Sequence, residues 1–346
     1  MDVAVIMAGG KGQRFWPLST SRRPKQFLDL NRCGRTLIQA TCDRLQPLVG
    51  GPEQLLVATA AAYLPLVHEQ LPELPKENLL SEPVGRDSAP AVALASLELE
   101  RRFGDCVAGF FSSDHRIGRP GAFQRAVRQA AELAQSENGL VTIGIRPTRP
   151  ATGYGYIEQG LPVGPGFRVS RFVEKPNRQR AEQYLAAGSY AWNAGIFVWP
   201  TATILAELDR YVPELIRPLR EAFAEGRTDE VFPTLKKISI DYAVMEQTER
   251  AYVIPGDFDW DDLGDWVALE RLLESEGGNT VVGRHVGLET SANIIYTEDP
   301  DDVVVTLGVE NLVVVKRGNT LLLVSRDRVQ EIKKLLADER LAGLIE

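Results

Sequence analysis

The chain has 346 residues, 44% of them hydrophobic and 25% charged, with a formal net charge of −8. That length holds one large α/β domain or a large domain with a small one, and the composition is that of an ordinary globular protein. The acidic balance argues against a nucleic-acid surface as the main role, and no apolar run approaches the roughly 20 residues of a membrane-spanning helix.

Residues 3–8 form a short apolar run closing on glycines, which predicts a buried parallel strand feeding a loop. An acid, Asp2, stands where a secretory leader would carry Lys or Arg, so a cytoplasmic protein is expected. Helical spacing follows over 37–48, then strands over 54–59 and 79–81, and an Ala/Leu-rich helix over 89–103. A fourth strand is predicted over 107–111, a helix over 123–134 and a fifth strand over 140–145. Strands alternating with helices imply crossover units and a mainly parallel sheet with helices on its faces.

After Pro150 the texture changes to aromatic and β-branched strands over 154–158 and 167–174, with helices over 178–187, 201–208 and 266–274. Gly277-Gly278-Asn279 breaks the pattern, and short β-rich stretches follow over 303–307, 312–315 and 320–324 before an amphipathic helix over 327–336. The expected domains are 1–277 and 278–346. Cys33, Cys42 and Cys106 are odd in number and lack the close pairing of a zinc site, which reads as reduced thiols without special chemistry.

The loop after the first strand, Ala8-Gly9-Gly10-Lys11-Gly12-Gln13-Arg14-Phe15-Trp16-Pro17-Leu18, has the glycines of an anion-binding turn. A Walker A loop needs Gly-Lys-Ser/Thr after its second glycine, but Gln13 and Arg14 follow Gly12. A dinucleotide fingerprint fails at Phe15, where a small residue is required. Arg14 and, further on, Lys25 supply positive charges suited to phosphate oxygens. Asp114 follows the fourth strand, at the end of a parallel strand where open α/β sheets bind ligands. Mg²⁺ uses one or two carboxylates plus substrate phosphates, which makes Asp114 a candidate metal ligand.

The string from Gly9 to Lys25 resembles the signature of nucleotidyltransferases that activate sugar 1-phosphates. Its Phe15-Trp16 variant is similar to the mannose-1-phosphate guanylyltransferases. Further segments match in order: 82–90, with Asp87-Ser88 in place of the commoner Asn-Thr; 112–117, with Ser112-Ser113 in place of Pro-Ala; 152–157, 172–176, 192–197, 241–246 and 257–266.

The resemblance implies an α/β fold of the nucleotide-diphospho-sugar transferase type: a Rossmann-like mixed, mainly parallel sheet flanked by helices. A small C-terminal β-rich domain, left-handed β-helix-like, would help build a homodimer. It implies the reaction of mannose 1-phosphate with GTP to give GDP-mannose and diphosphate, with Mg²⁺ on Asp114 and Asp262. Asp261 competes with Asp262 for that role.

Ala8, Gly9, Gly10, Gly12, Arg14, Lys25, Glu82 and Ser88 would serve the nucleotide. Glu82 could accept from the guanine edge, or be a surface ion-pair or helix-entry carboxylate. Gly153, Glu174, Lys175 and Asn193 would serve the sugar phosphate, Asn193 as both donor and acceptor. The segment 241–246 either belongs to a site or packs the core. No partner nucleic acid or membrane is expected, nor the additional isomerase domain of bifunctional relatives. Three other readings stay open: a different sugar 1-phosphate and nucleotide pair, a non-catalytic subunit of the same fold, and, disfavoured by Phe15, a nicotinamide oxidoreductase.

Overall fold

The computed structural model of the chain describes residues 1–341 apart from Lys11, Asn31 and Glu274, with the side chains of Ser275 and Glu276 also set aside. Two expectations touch those positions: Lys11 within the glycine loop and Glu274 at the end of the helix over 266–274 lie outside the described residues. The chain forms two compact units, each discontinuous in sequence. The first comprises Met1–Gly9, Ile38–Ser113 and Ile117–Trp260; the second comprises Gly10–Leu37, Asp114–Arg116 and Asp261–Glu346.

The first unit is built on nine strands: β1 (Val3–Met7), β2 (Leu55–Ala60), β3 (Leu79–Glu82), β4 (Val107–Ser112), β5 (Leu140–Ile145), β6 (Tyr156–Val163), β7 (Gly166–Val173), β8 (Tyr190–Pro200) and β9 (Ala251–Gly256). Their order across the sheet is β3-β2-β1-β4-β8-β5-β9-β7-β6. Strands β1, β2, β4 and β5 are buried along nearly their whole length, so each needs an apolar residue on both faces, and their sequences read as continuous hydrophobic runs.

The sheet is mixed, as expected. Parallel pairing joins β3-β2-β1-β4 and β5 with β9, whereas β8 runs antiparallel to both β4 and β5. Parallel pairing thus runs unbroken over β3-β2-β1-β4 and recurs between β5 and β9. The helix Ser88–Phe103 is buried on nearly every side, from Ala89 to Leu97 and at Leu99. Trp199 of β8 lies 5.2 Å from Phe110 of β4, ring to ring, in the same core as Leu208, Leu215 and Leu219. The helix Pro213–Ala224 was not expected because Pro218 stands inside it and breaks its pattern. Strand β9 was likewise not expected, with Pro255 near its end.

In the second unit, β10 (Asn279–Val282), β12 (Ile294–Thr297) and β14 (Leu312–Arg317) stack in parallel, and β15 (Thr320–Ser325) closes antiparallel on β14. A separate parallel pair, β11 (Arg284–Leu288) and β13 (Val303–Leu307), runs beside this chain order. Asn293 Nδ2 donates to Asn279 Oδ1 at 3.0 Å, and Leu312 N donates to Asn293 Oδ1 at 2.9 Å. Buried amides thus satisfy the turns between stacked strands.

These compact units are not set by a single cut in the chain. Phe15, Trp16, Leu263 and Trp266 share one core with Ile294, Val313 and Val315, because their apolar area is removed from water only there. The predicted terminal helix resolves into a 3-10 turn, Arg326–Glu331, and a short helix, Ile332–Leu335.

Candidate active site

In the second unit the glycine loop is shaped by its backbone. Gly12 has φ 56°, and a β-carbon there would lie 2.4 Å from the Lys25 Cβ; only glycine tolerates both the left-handed conformation and that approach. Ser19 Oγ donates to Gly12 O at 2.6 Å, and Gln26 Nε2 donates to Gly10 O at 3.0 Å. The loop is therefore anchored to the segment that carries Lys25. Trp266 Nε1 donates to Trp16 O at 3.1 Å and its ring packs 5.2 Å from Phe15.

Lys25 is only 5% exposed. Its ammonium donates to Leu263 O at 2.8 Å and Asp262 O at 3.1 Å, and pairs with Asp114 Oδ2 at 2.8 Å. Three donors meet three acceptors, which is the full capacity of a lysine. Arg14 Nη1 donates to Gly264 O at 3.4 Å, while its Nε is buried without a hydrogen-bond partner. Four residues proposed from sequence, Arg14, Lys25, Asp114 and Asp262, are thus brought to one place from positions up to 248 apart, as Arg14 and Asp262 stand in the chain.

The acid-rich segment separates into distinct tasks. Asp261 accepts from Arg271 through both oxygens, at 2.6 and 3.0 Å, and from Leu263 N at 2.9 Å. It holds Leu263 in its positive-φ conformation and so presents the carbonyl that Lys25 binds. Asp265 caps the turn Trp266–Arg271 by accepting from Val267 N and Ala268 N, and burial pushes its carboxyl above the usual range. Asp257 pairs with Arg119. Asp262, half-buried, is the acid of this group whose main chain meets Lys25.

In the first unit, Ala8 closes β1 with its N–H on Ala58 O at 2.7 Å and its carbonyl accepting from Thr59 Oγ1 at 3.0 Å. Glu82, at the end of β3, is 4% exposed, and burial pushes its carboxyl up to about 7. Its Oε1 lies 3.3 Å from the position a β-carbon would take on Gly9. A surface ion pair is thereby excluded as its role. Ser88 opens its helix with Oγ accepting from Ile240 N at 2.9 Å, so its hydroxyl already has a structural task. Asp87 accepts from Ser88 N at 2.8 Å as the cap of that helix.

Glu174, Lys175 and Asn193 come together in the same unit. Lys175 Nζ pairs with Glu174 Oε1 at 2.7 Å. Burial opposes the charge on Lys175, but its bond to Glu174 and the nearby Asp241 raise its pKa. Asn193 Oδ1 accepts from Gly195 N and Thr142 Oγ1, both at 3.0 Å, and Nδ2 donates to Asp241 Oδ1 at 2.9 Å. The Thr142 hydroxyl also lies 3.0 Å from Ile196 O, and Asn193 keeps a second Nδ2 hydrogen beside the one given to Asp241.

Gly153 has no neighbour within 4 Å of a built β-carbon. Between protein groups the tight approach is at Gly155, where a β-carbon would meet Glu174 Oε2 at 2.6 Å. Gly155 and Asp241 lie within motifs legible in the sequence, but nothing local marks them as neighbours of Glu174 and Asn193.

The nucleotidyl transferase family profile matches residues 3–276, and a profile described as the MannoseP isomerase/GMP-like beta-helix domain matches 283–338. A mannose-1-phosphate guanylyltransferase of Escherichia coli is 38% identical over 348 residues, spanning 96% of this chain and 73% of that protein. The xanthan biosynthesis protein XanB of Xanthomonas campestris is 39% identical, spanning 98% and 73%. Among solved structures, one described as mannose-1-phosphate geranyltransferase from Thermus thermophilus superposes with a TM-score of 0.89 at 40% identity, covering 99% of both chains. With the Rossmann-like sheet, the β-helix strands and the glycine loop clasped through Lys25 in one molecule, the chain belongs to the mannose-1-phosphate guanylyltransferase family of nucleotidyl transferases.

Proposed function

We propose that the protein transfers a guanylyl group from GTP to mannose 1-phosphate, releasing diphosphate. The observation that carries this reading is the convergence on Lys25. A glycine loop, a buried ammonium and two carboxylate residues meet in one unit, and nucleotidyl transfer between two polyanions needs these groups together. The names of the similar proteins supply the sugar and base.

A phosphate oxygen of the sugar phosphate forms the new bond to the α-phosphorus, and the bond to the diphosphate oxygen breaks in line. The nucleophile is already anionic at neutral pH, so no general base is required. Positioning and charge neutralisation carry the acceleration. Backbone N–H groups of Gly9, Gly10 and Gly12 would meet the triphosphate, Arg14 its β- and γ-phosphates, and Lys25 the oxygens at the reacting phosphorus. Glu82, buried beside Gly9, would accept from the guanine N1–H and N2–H₂ donors. Asn193 would donate to a sugar hydroxyl, Glu174 would accept from one, and Lys175 would meet the sugar phosphate.

The donor set suits Mg²⁺. Among the described residues no three His, Cys, Asp or Glu side chains form a metal cage. Asp114 and Asp262 offer the one or two hard oxygen ligands that Mg²⁺ takes when phosphates complete its shell. When bound there, the ion would supply charge neutralisation at the phosphate oxygens.

No helix among the described residues is long and apolar enough to cross a membrane. Exposed Val286, Leu288, Val305 and Leu307 on β11 and β13 support a homodimer formed through the β-rich region. A matrix of sugar 1-phosphates against nucleoside triphosphates, read by diphosphate release, tests the substrate reading. Release with mannose 1-phosphate and GTP in clear preference is expected. A preference for another pair would reassign the substrates, and no release with any pair would leave a non-catalytic subunit.

A further inference from the structure

The motif 241–246 is not accounted for by the reaction as described, and its placement gives it a role. Asp241–Met245 is a π-helical turn, with Ala243, Val244 and Met245 buried as its anchor. Glu246 N donates to Asp241 O at 2.9 Å, closing the widened turn. Such turns are uncommon and recur at functional sites. Here the turn sets Asp241 against Asn193, whose Nδ2 it accepts at 2.9 Å. Glu246 reaches back from the other end of the turn, accepting Glu174 N at 2.8 Å. One short segment therefore fixes both an Asn and a Glu assigned to the sugar.

Counting acceptors shows what this cluster lacks. A carboxylate offers about four acceptor positions. Asp241 uses two, for Asn193 Nδ2 and its own backbone N–H. Glu174 uses one on Lys175. Burial first, and the Glu174 carboxylate second, push the Asp241 carboxyl above the ordinary carboxylate range. Lys175 is the cation these acids share, and it is more than half exposed. A ligand rich in O–H donors and free of negative charge at this point would complete the arrangement, and a sugar ring fits that description.

We propose that Asp241 is a sugar-recognition residue: with Glu174 it forms a two-carboxylate acceptor for ring hydroxyls, while locking the Asn193 amide so that it donates to the same ring. The proposal rests on the sugar-phosphate reading of Glu174 and Asn193 and adds the residue that selects among sugars. Acceptors held this rigidly penalise a substrate whose hydroxyl points elsewhere, because a buried carboxylate is then left unpaired.

The test is Asp241→Asn, which keeps shape and can still accept from Asn193 through its own oxygen. Steady-state kinetics with mannose 1-phosphate should show a KM raised about 10- to 100-fold, as loss of a charged hydrogen bond to a ligand implies, with KM for GTP and kcat within about threefold. The ratio of kcat/KM for mannose 1-phosphate over singly deoxygenated analogues should fall at one ring position only, and the variant should be indifferent to the hydroxyl it no longer binds.

A folded variant with unchanged sugar KM and unchanged analogue ratios overturns the proposal. So does an equal rise in KM for sugar and nucleotide with a lowered melting temperature, which marks a merely structural residue. Failure of the wild-type enzyme to use mannose 1-phosphate while using another sugar 1-phosphate would overturn the substrate reading alone. The Asp241→Asn comparison is then decided with that sugar.

Discussion

Replacing Lys25 by methionine keeps the apolar stem against Phe15, 5.8 Å from the ammonium to the ring centre, and removes the three donors. Two carbonyls, those of Asp262 and Leu263, then lose a charged partner, and Asp114 loses its ion pair. An unsatisfied buried carbonyl costs about 1 kcal/mol, and breaking a buried pair costs ~3–5 kcal/mol before solvent is considered. Asp114 is 26% exposed on its side chain, so water recovers part of its share, and the variant no longer desolvates an ammonium.

The net expectation is a loss of about 2–3 kcal/mol, read as a shift of the urea midpoint at constant slope. Turnover at saturating substrates should fall by ~100-fold or more, the usual consequence of losing a preorganised charge at a developing phosphorane. A folded Lys25→Met protein with near wild-type turnover would remove Lys25 from the mechanism. An unchanged urea midpoint would refute the reasoning that its three bonds hold the loop to Asp114 and the carbonyls of residues 262 and 263.

Glu82 yields a pH prediction whose sign follows from its direction of shift. Its carboxyl sits at about 7 when folded, above the ordinary 4.5, so between these values the folded protein holds a proton that the unfolded chain has released. Stability then falls as pH rises across that window, by ~3 kcal/mol at most. Urea midpoints at pH 5 and pH 8 should differ less in Glu82→Gln than in wild type, and equal differences would contradict the burial argument.

Asp114→Asn and Asp262→Asn should each abolish Mg²⁺-dependent diphosphate release, and full activity in either would reassign that ligand. Asp261→Asn should instead act on stability. Loss of the two-oxygen pair with Arg271 and weakening of the bond to Leu263 N predict about 1–3 kcal/mol by denaturant titration. A wild-type midpoint would show that the Leu263 carbonyl is held by other means.

Much of the first unit was legible because its signals are local. β5 coincides with the predicted 140–145, and the helix Arg178–Ala187 with 178–187, since continuous apolar runs and a capping Asn177 carry their own instruction. Glycine and Pro-Lys spacing likewise pointed to Arg14 and Lys25. Strands β8 and β9 were missed because their pairing is decided by distant partners: Val198 faces both Gly109 and Val141. Only the resemblance favoured Asp262 over Asp261, because adjacent acids look alike in sequence; their surroundings differ once Arg271 is folded against Asp261.

From sequence alone come the residue types at each position and the short-range geometry they impose: a loop that turns at Gly12, buried runs that become strands, a lysine after a proline. Only the tertiary structure decides which acceptors that lysine meets, that Asn193 turns its amide to donate, and that Asp241 stands beside Glu174. The physical reason is range. Torsional preference and apolar periodicity act over a few residues, whereas a hydrogen bond or an ion pair forms between whichever groups the packed core brings within about 3 Å, however far apart they stand in the chain.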